Sequence, residues 1–158
     1  VHNKIIFKIL QDEDTLELVR EEEREFVKKH IPYTGLFKGD EKIFEHVLKN
    51  KDKYIMKPYD LNASRGVFAG RDLTYEEWKE RLEKVWDKDY IYQEFVNPYT
   101  REFVVFKDEG VGKEEFGTIT GLFMYNEELA GLYTRAGKYS LISAASEYYT
   151  LPNLLVRW

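Results

Sequence analysis

The sequence predicts an α+β fold built on a mostly antiparallel sheet with flanking helices. Segments with helical apolar spacing come first, a lysine-ended strand and a polar, glycine-bearing loop occupy the middle, and alternating strands with a hairpin signal fill the second half. At 158 residues and 43% hydrophobic content, the chain can bury one core, or two small lobes sharing one.

In "NKIIFKILQDEDTLELV" the positions Ile5, Ile6, Ile9 and Leu10 follow helical spacing, with Lys4 and Lys8 one turn apart on another face. "EEEREFVKKH" carries its acids early and its bases late, as the helix dipole favours, and it must stop at Ile31-Pro32 because a residue before proline avoids the helical region. Asp40 is placed to cap a third helix with Ile43, Phe44, Val47 and Leu48 on one face. "KYIMK" follows as a strand. The clearest helix spans 74–86, where Thr74 and Glu77 form a capping box and Tyr75, Trp78, Leu82 and Val85 share a face, with Trp86 beside them on the buried side. "DYIYQEFV" then alternates Ile91, Gln93 and Phe95 against Tyr92, Glu94 and Val96. "NPYT" is expected as a turn, "REFVVF" as a strand, "KDEGVGKEEFG" as a polar loop, and "TITGLFMY" with "ELAGLYTRAG" as a hairpin about Asn126-Glu127; the tail is less regular.

Composition excludes several functions. The 24 basic and 29 acidic side chains give a net charge of -5, without the electrostatic footprint of a duplex-DNA or anionic-membrane binder. No apolar run approaches the roughly 20 residues of a membrane span, and the beginning is too short and too charged for a signal peptide. The reading is a soluble, cytoplasmic protein. Zero cysteines exclude thiolate chemistry, and three scattered histidines, His2, His30 and His46, argue against a zinc site. The first residue is Val and leads almost directly into a periodic pattern, so a piece of something longer is expected.

One stretch carries chemistry. In "KYIMKPYDLNASRGVFAG" Lys57 ends a strand and Arg65 precedes Gly66 in a loop with Asn62, Ala63 and Ser64. Two cations and a loop whose small residues let backbone N–H groups approach are what a polyphosphate ligand needs. A hairpin with an exposed lysine explains the same letters.

The order of "YIMKP", "SRGVFAG", a capped helix and "YIYQEFV" resembles the nucleotide-binding half of the ATP-grasp fold: a strand with Lys-Pro, a glycine-rich phosphate loop, a helix, and a strand ending in a Gln-Glu or Glu-Glu hinge. "NKIIFKIL" with "KKHIPYT" resembles the lysine-bearing helix and Ile-Pro lead-in upstream, and the whole looks most like the circularly permuted group that includes glutathionylspermidine synthase-like ligases. This resemblance implies an ATP-grasp-like lobe: a helical segment over 1–50, the phosphate loop and hinge over 51–100, and part of a second subdomain over 101–158.

The resemblance also implies roles. Lys57 matches the strand lysine on the α-phosphate and adenine edge, and Lys8, less securely Lys4, the upstream lysine reaching the same phosphates. Ser64, Arg65 and Gly66 stand in the phosphate loop, although "ASRG" is poorer in glycine than the usual pattern. Glu94, Phe95 and Val96 match the adenine hinge, Glu102 the acid on the ribose hydroxyls, and Arg135 the catalytic arginine near the transferred phosphate. Each has a plainer competitor: Lys4 and Lys8 suit a solvated helix face, Glu94 a strand-end surface acid, Glu102 a partner for Arg101 or a nearby lysine, Arg135 an ion-pair partner, and the aromatic residues core packing.

The implied activity is the ATP-binding portion of an ATP-dependent carboxylate–amine ligase working through an acyl phosphate, with ATP and Mg²⁺ as cofactors and an unidentified carboxylate or amine as substrate. Glu127, Glu128, Glu147 and Asn153 offer oxygens, but not at the spacing of the family's metal ligands, which permutation places upstream; the chain is then catalytically incomplete. The alternative is a nucleotide-binding or regulatory module without turnover.

Overall fold

The helices begin and end where their caps dictate. The computed structural model describes residues 3–108, 110–143, 146–154 and 156. His2 lies outside them, as do Leu155, Arg157 and Trp158 of the apolar tail. Two short helices, α1 (Ile6–Ile9) and α2 (Glu13–Glu17), are followed by α3 (Glu21–His30). The helical spacing read through residues 3–19 is therefore broken in two. Asp12 takes an extended conformation (φ -70°, ψ 139°) and starts the second helix, as Asp favours a cap over a helix interior. In α3 the acids Glu21, Glu22 and Glu23 lead and Lys28, Lys29 and His30 close, with Ile31 already extended before Pro32.

Strand β1 (Thr34–Leu36), helix α4 (Glu41–Lys49), strands β2 (Tyr54–Pro58) and β3 (Phe68–Ala69), helix α5 (Tyr75–Val85) and strand β4 (Tyr90–Glu94) complete a first compact unit, Val1–Val96. Asp40 caps α4 by accepting from Lys42 N. At α5 the Thr74 hydroxyl accepts from Glu77 N while the Glu77 carboxylate accepts from Thr74 N, the reciprocal box that the sequence predicts.

The sheet runs β1-β4-β2-β3, antiparallel throughout. Met56 opposes Tyr92 and Phe68, so Tyr54, Met56, Phe68 and Tyr92 share one face, and Phe37, Val47, Trp78 and Leu82 complete the core on that side. Trp78 is 0% exposed, edge-on to Phe68, and its indole N–H donates to Val47 O at 3.3 Å. Tyr75, expected on this buried side, is 50% exposed, because it is the first residue of α5 and projects beyond the sheet-facing turns. The opposite face presents Thr34, Ile55, Lys57, Ala69, Ile91 and Gln93, and all but Lys57 of these are buried. Alternation in β4 thus does not separate inside from outside, since Ile91, Tyr92 and Gln93 are all buried in a strand with neighbours on both edges.

The second unit, Asn97–Trp158, is a meander of β5 (Tyr99–Lys107), β6 (Gly110–Tyr125), β7 (Glu128–Gly137) and β8 (Tyr149–Leu151) in sequential order. The polar stretch expected as a loop over 107–117 is instead mostly strand: the chain reverses between Lys107 and Gly110 (φ +126°), and Gly110 to Thr118 pair with β5. Charge holds these residues in the sheet, as Glu114 receives both Lys107 and Lys138. Tyr99 and Thr100 of the expected "NPYT" turn already belong to β5. The β6–β7 hairpin turns at Asn126 (φ 49°) and Glu127 (φ 65°), the sign pattern of a primed two-residue turn. The fold is α+β.

Replacing Trp78 by Ala is expected to destabilise the first unit by about 3–5 kcal/mol, read from urea unfolding followed by circular dichroism. Glu127→Gly is expected to stabilise the second unit by roughly 0.5–1 kcal/mol, because glycine accepts positive φ without the Cβ penalty; a lowered melting temperature would contradict the turn assignment.

Candidate functional site

Lys57 occupies the centre of the candidate site. It lies on the face of the first sheet opposite α4 and α5, directly across from Ile91, and its ammonium donates to Gln93 Oε1 at 2.6 Å. Burial pushes its pKa below the ordinary value, and the neighbouring cation Lys4 pushes the same way. Among the described residues no carboxylate lies within ion-pair distance of Lys57 or Lys4. Lys8 is elsewhere engaged, paired with Asp12 one turn along. The upstream lysine that bears on Lys57 is Lys4, whose own N–H bonds Tyr59 O at 2.7 Å and whose ammonium donates to Leu61 O at 2.5 Å. Lys4 thereby ties the chain's first turn to the loop that follows β2.

That loop is closed by two successive turns. Arg65 N bonds Asn62 O at 3.1 Å around Ala63 (φ 52°) and Ser64 (φ 56°), and Val67 N bonds Ser64 O at 3.1 Å around Gly66 (φ 71°). Glycine is required at 66 for two reasons, its positive φ and the Tyr90 hydroxyl that would stand 2.7 Å from an added Cβ. The same hydroxyl donates to Gly66 O at 3.1 Å. The Arg65 guanidinium folds back onto Asn62 Oδ1 at 2.6 Å.

At the far end of β4, Glu94 N–H is taken by Tyr33 O at 2.9 Å and Phe95 N–H by Lys53 O at 2.8 Å. Among the described residues no backbone acceptor engages Val96 N–H. Phe95 lies under the Arg71 guanidinium, 4.3 Å from ring centre to Cζ. Glu94, Phe95 and Val96 line one wall of a cleft of about 740 Å³, faced by Ile31, Pro32 and Tyr33. Beside Tyr33, burial and the hydrogen bond shared with the Tyr33 hydroxyl raise the Tyr92 hydroxyl well above its usual pKa.

Glu102 and Arg135 belong to the second unit. The register of β5 through β7 puts both on one face of that sheet, with Arg135 beside Ile119 and Glu102 beside Glu115. Glu102 is paired with Lys113 Nζ at 2.8 Å, the neighbouring-lysine partnership that its sequence context also suggested. Arg135 lies over the rings of Tyr133 and Tyr148, at 5.6 and 5.8 Å, and its Nε is buried with no hydrogen-bond partner among the described residues. Hydrogen bonds with Thr150 and Tyr148, and the Arg135 charge beyond them, lower the Tyr133 pKa.

Sequence reasoning did not single out Gln93, Thr34 or Gln11 as site residues, yet they hold Lys57. Gln93 Nε2 donates to Thr34 Oγ1 at 2.8 Å, Thr34 Oγ1 donates to Pro32 O at 2.9 Å, and Gln11 closes the chain through Thr34 N and the Ile31 and Pro32 carbonyls. The signal available was Gln93 itself, a polar residue in phase with Ile91 within an apolar strand.

The sign of the pH dependence follows from the lowered pKa. Below the folded-state value Lys57 is protonated whether folded or not, and burying the cation opposes folding in full; above 10.5 it is neutral in both states and that penalty is gone. The stability of Lys57→Met relative to the unsubstituted protein is therefore expected to fall as pH rises from neutrality towards 10.5, read from urea midpoints across pH; a pH-independent difference contradicts burial of the ammonium. The sequence matches no family model and no curated protein.

Proposed function

We propose that the chain is the ATP-binding part of an ATP-dependent carboxylate–amine ligase of the ATP-grasp kind. One observation carries the reading: Lys57 and Lys4 bring two ammonium groups together with amide and carbonyl acceptors and no carboxylate counter-charge among the described residues. Such a pair is completed by a polyanion. A triphosphate supplies several charges along one line, whereas a carboxylate from the protein would neutralise the pair permanently. Val96 N–H supports the second half of the reading, since it offers a donor to the edge of a neutral base beside the cleft lined by Ile31, Pro32 and Phe95 together with Lys28, Lys29 and Glu94. Glu102 and Arg135 share one face of the second sheet and, by the resemblance, would serve the ribose and the transferred phosphate.

Bound ATP supplies the phosphoryl group that activates a carboxylate for attack by an amine. Lys57, held by Gln93, would offer its remaining N–H groups and its charge to the phosphates, while Lys4 keeps the loop over 59–67 in place. Mg²⁺ is the metal the resemblance implies. Among the described residues no group of three or more His, Cys, Asp or Glu gathers to hold an ion, and Glu102 and Glu114 are engaged by lysines, so no ligand set within this chain is assigned to it. A second reading, a module that holds nucleotide without turnover, draws on the loop, where Arg65 is folded onto Asn62.

ATP with Mg²⁺ at about 100 times its Kd is expected to stabilise the protein by about 2.7 kcal/mol in a thermal-shift measurement. Lys57→Ala should weaken the affinity by about tenfold or more, near 1.4 kcal/mol. Formation of ADP dependent on a carboxylate and an amine favours the ligase, and binding without it favours the module. No shift at millimolar nucleotide rejects both.

A further inference from the structure

The chain of hydrogen bonds behind Lys57 has a direction. Lys57 can only donate, so the atom of Gln93 facing it at 2.6 Å must be the amide oxygen. The amide nitrogen then points at Thr34 Oγ1, 2.8 Å away. The threonine hydroxyl accepts there because its own proton is directed to Pro32 O at 2.9 Å, and a carbonyl can only accept. Gln11 fixes the far end, with Oε1 accepting from Thr34 N at 2.9 Å and Nε2 donating to Ile31 O and Pro32 O at 3.1 and 2.8 Å. Thr34 and Gln93 are 1% and 5% exposed, so water does not offer them substitute partners. A flipped Gln93 amide would set N–H against ammonium on one side and oxygen against a committed hydroxyl on the other.

We propose that Thr34 and Gln11 are positioning residues for Lys57: they lock the Gln93 amide with its oxygen towards the ammonium, so that the cation is held by one neutral acceptor and keeps its other N–H groups for an anionic ligand. This rests on the reading of Lys57 as a ligand-facing cation. A glutamate at 93 would hold the ammonium more tightly but would cancel the charge that the ligand meets, which makes the neutral amide and the residues that orient it specific to a site that must stay open. Lys4 is the charged group that bears on Lys57, and it is part of the loop tether, not of this chain of bonds.

The test compares Thr34→Val, Thr34→Ser and Gln11→Ala in the full protein. The first readout is the titration of the Lys57 side chain by NMR without ligand, with the His46 imidazole, bonded to Tyr54 on the other face of the sheet, as the control for an intact fold. The second is the affinity for inorganic tripolyphosphate. Thr34→Val is expected to lower the apparent pKa of Lys57, leave His46 unmoved and weaken tripolyphosphate binding by about tenfold, the effect of losing an oriented acceptor. Thr34→Ser should restore both readouts. Gln11→Ala, at a partly exposed position, should shift them in the same direction by less, and it serves if Thr34→Val does not fold. A Lys57 titration unchanged in a folded Thr34→Val or Gln11→Ala protein overturns the proposal, whatever the ligand does. If the titration shifts while the unsubstituted protein binds neither tripolyphosphate nor ATP, the positioning role stands and the nucleotide reading falls.

Discussion

A lysine on the face of a sheet away from its main core, held by an amide and not by a carboxylate, is the constraint around which the first unit is arranged. Lys57 and Gln93 sit on neighbouring antiparallel strands, β2 and β4, offset by two pairs in the register, and both strands are central in the sheet. The other face must then bear most of the packing. Met56, Tyr92, Trp78 and Leu82 do so, in a core dense with edge-to-face aromatic pairs. A polar, cation-bearing face is tolerable because the face behind it is so apolar.

The helices divide accordingly. Helices α4 and α5 cover the apolar face with capped, amphipathic turns. The N-terminal segment serves the polar face with single anchors, Lys4 to the loop and Gln11 to the start of β1, and its helices stay short. Those anchors are hydrogen bonds more than buried area. Local opening of this segment is therefore less opposed than opening of α5, and opening would release both the loop tether and the Gln11 end of the Gln93 network.

Much of the architecture was legible in the residues. Capping chemistry located α4 and α5, proline ended α3, and Asn126-Glu127 marked the hairpin, because each is a local rule. The longest strand was misjudged over 110–117, where glycines and charges read as loop and the pairing with β5 outweighed local preference. Lys57 is visible as a strand-ending cation and Lys4 as the less secure upstream lysine; Gln93, Thr34 and Gln11 as its surroundings are not. Those relations join residues up to 59 apart in sequence, through a strand order that local reading does not specify. The resemblance favours Lys8 over Lys4 as the upstream lysine; in the structure Lys8 pairs with Asp12, while Lys4 is the lysine whose charge bears on Lys57.

The two sheets also differ at their borders. The first ends in β1 and β3, three and two residues long, which offer an incoming strand too few free backbone groups to grip. The second ends on one side in β5, nine residues of extended chain with Val104 and Phe106 exposed. Such a border is a template for one more strand, from another molecule as readily as from a partner. Arg101, Glu102 and Lys107 are the charges placed along it, and charges on an edge strand discourage such pairing.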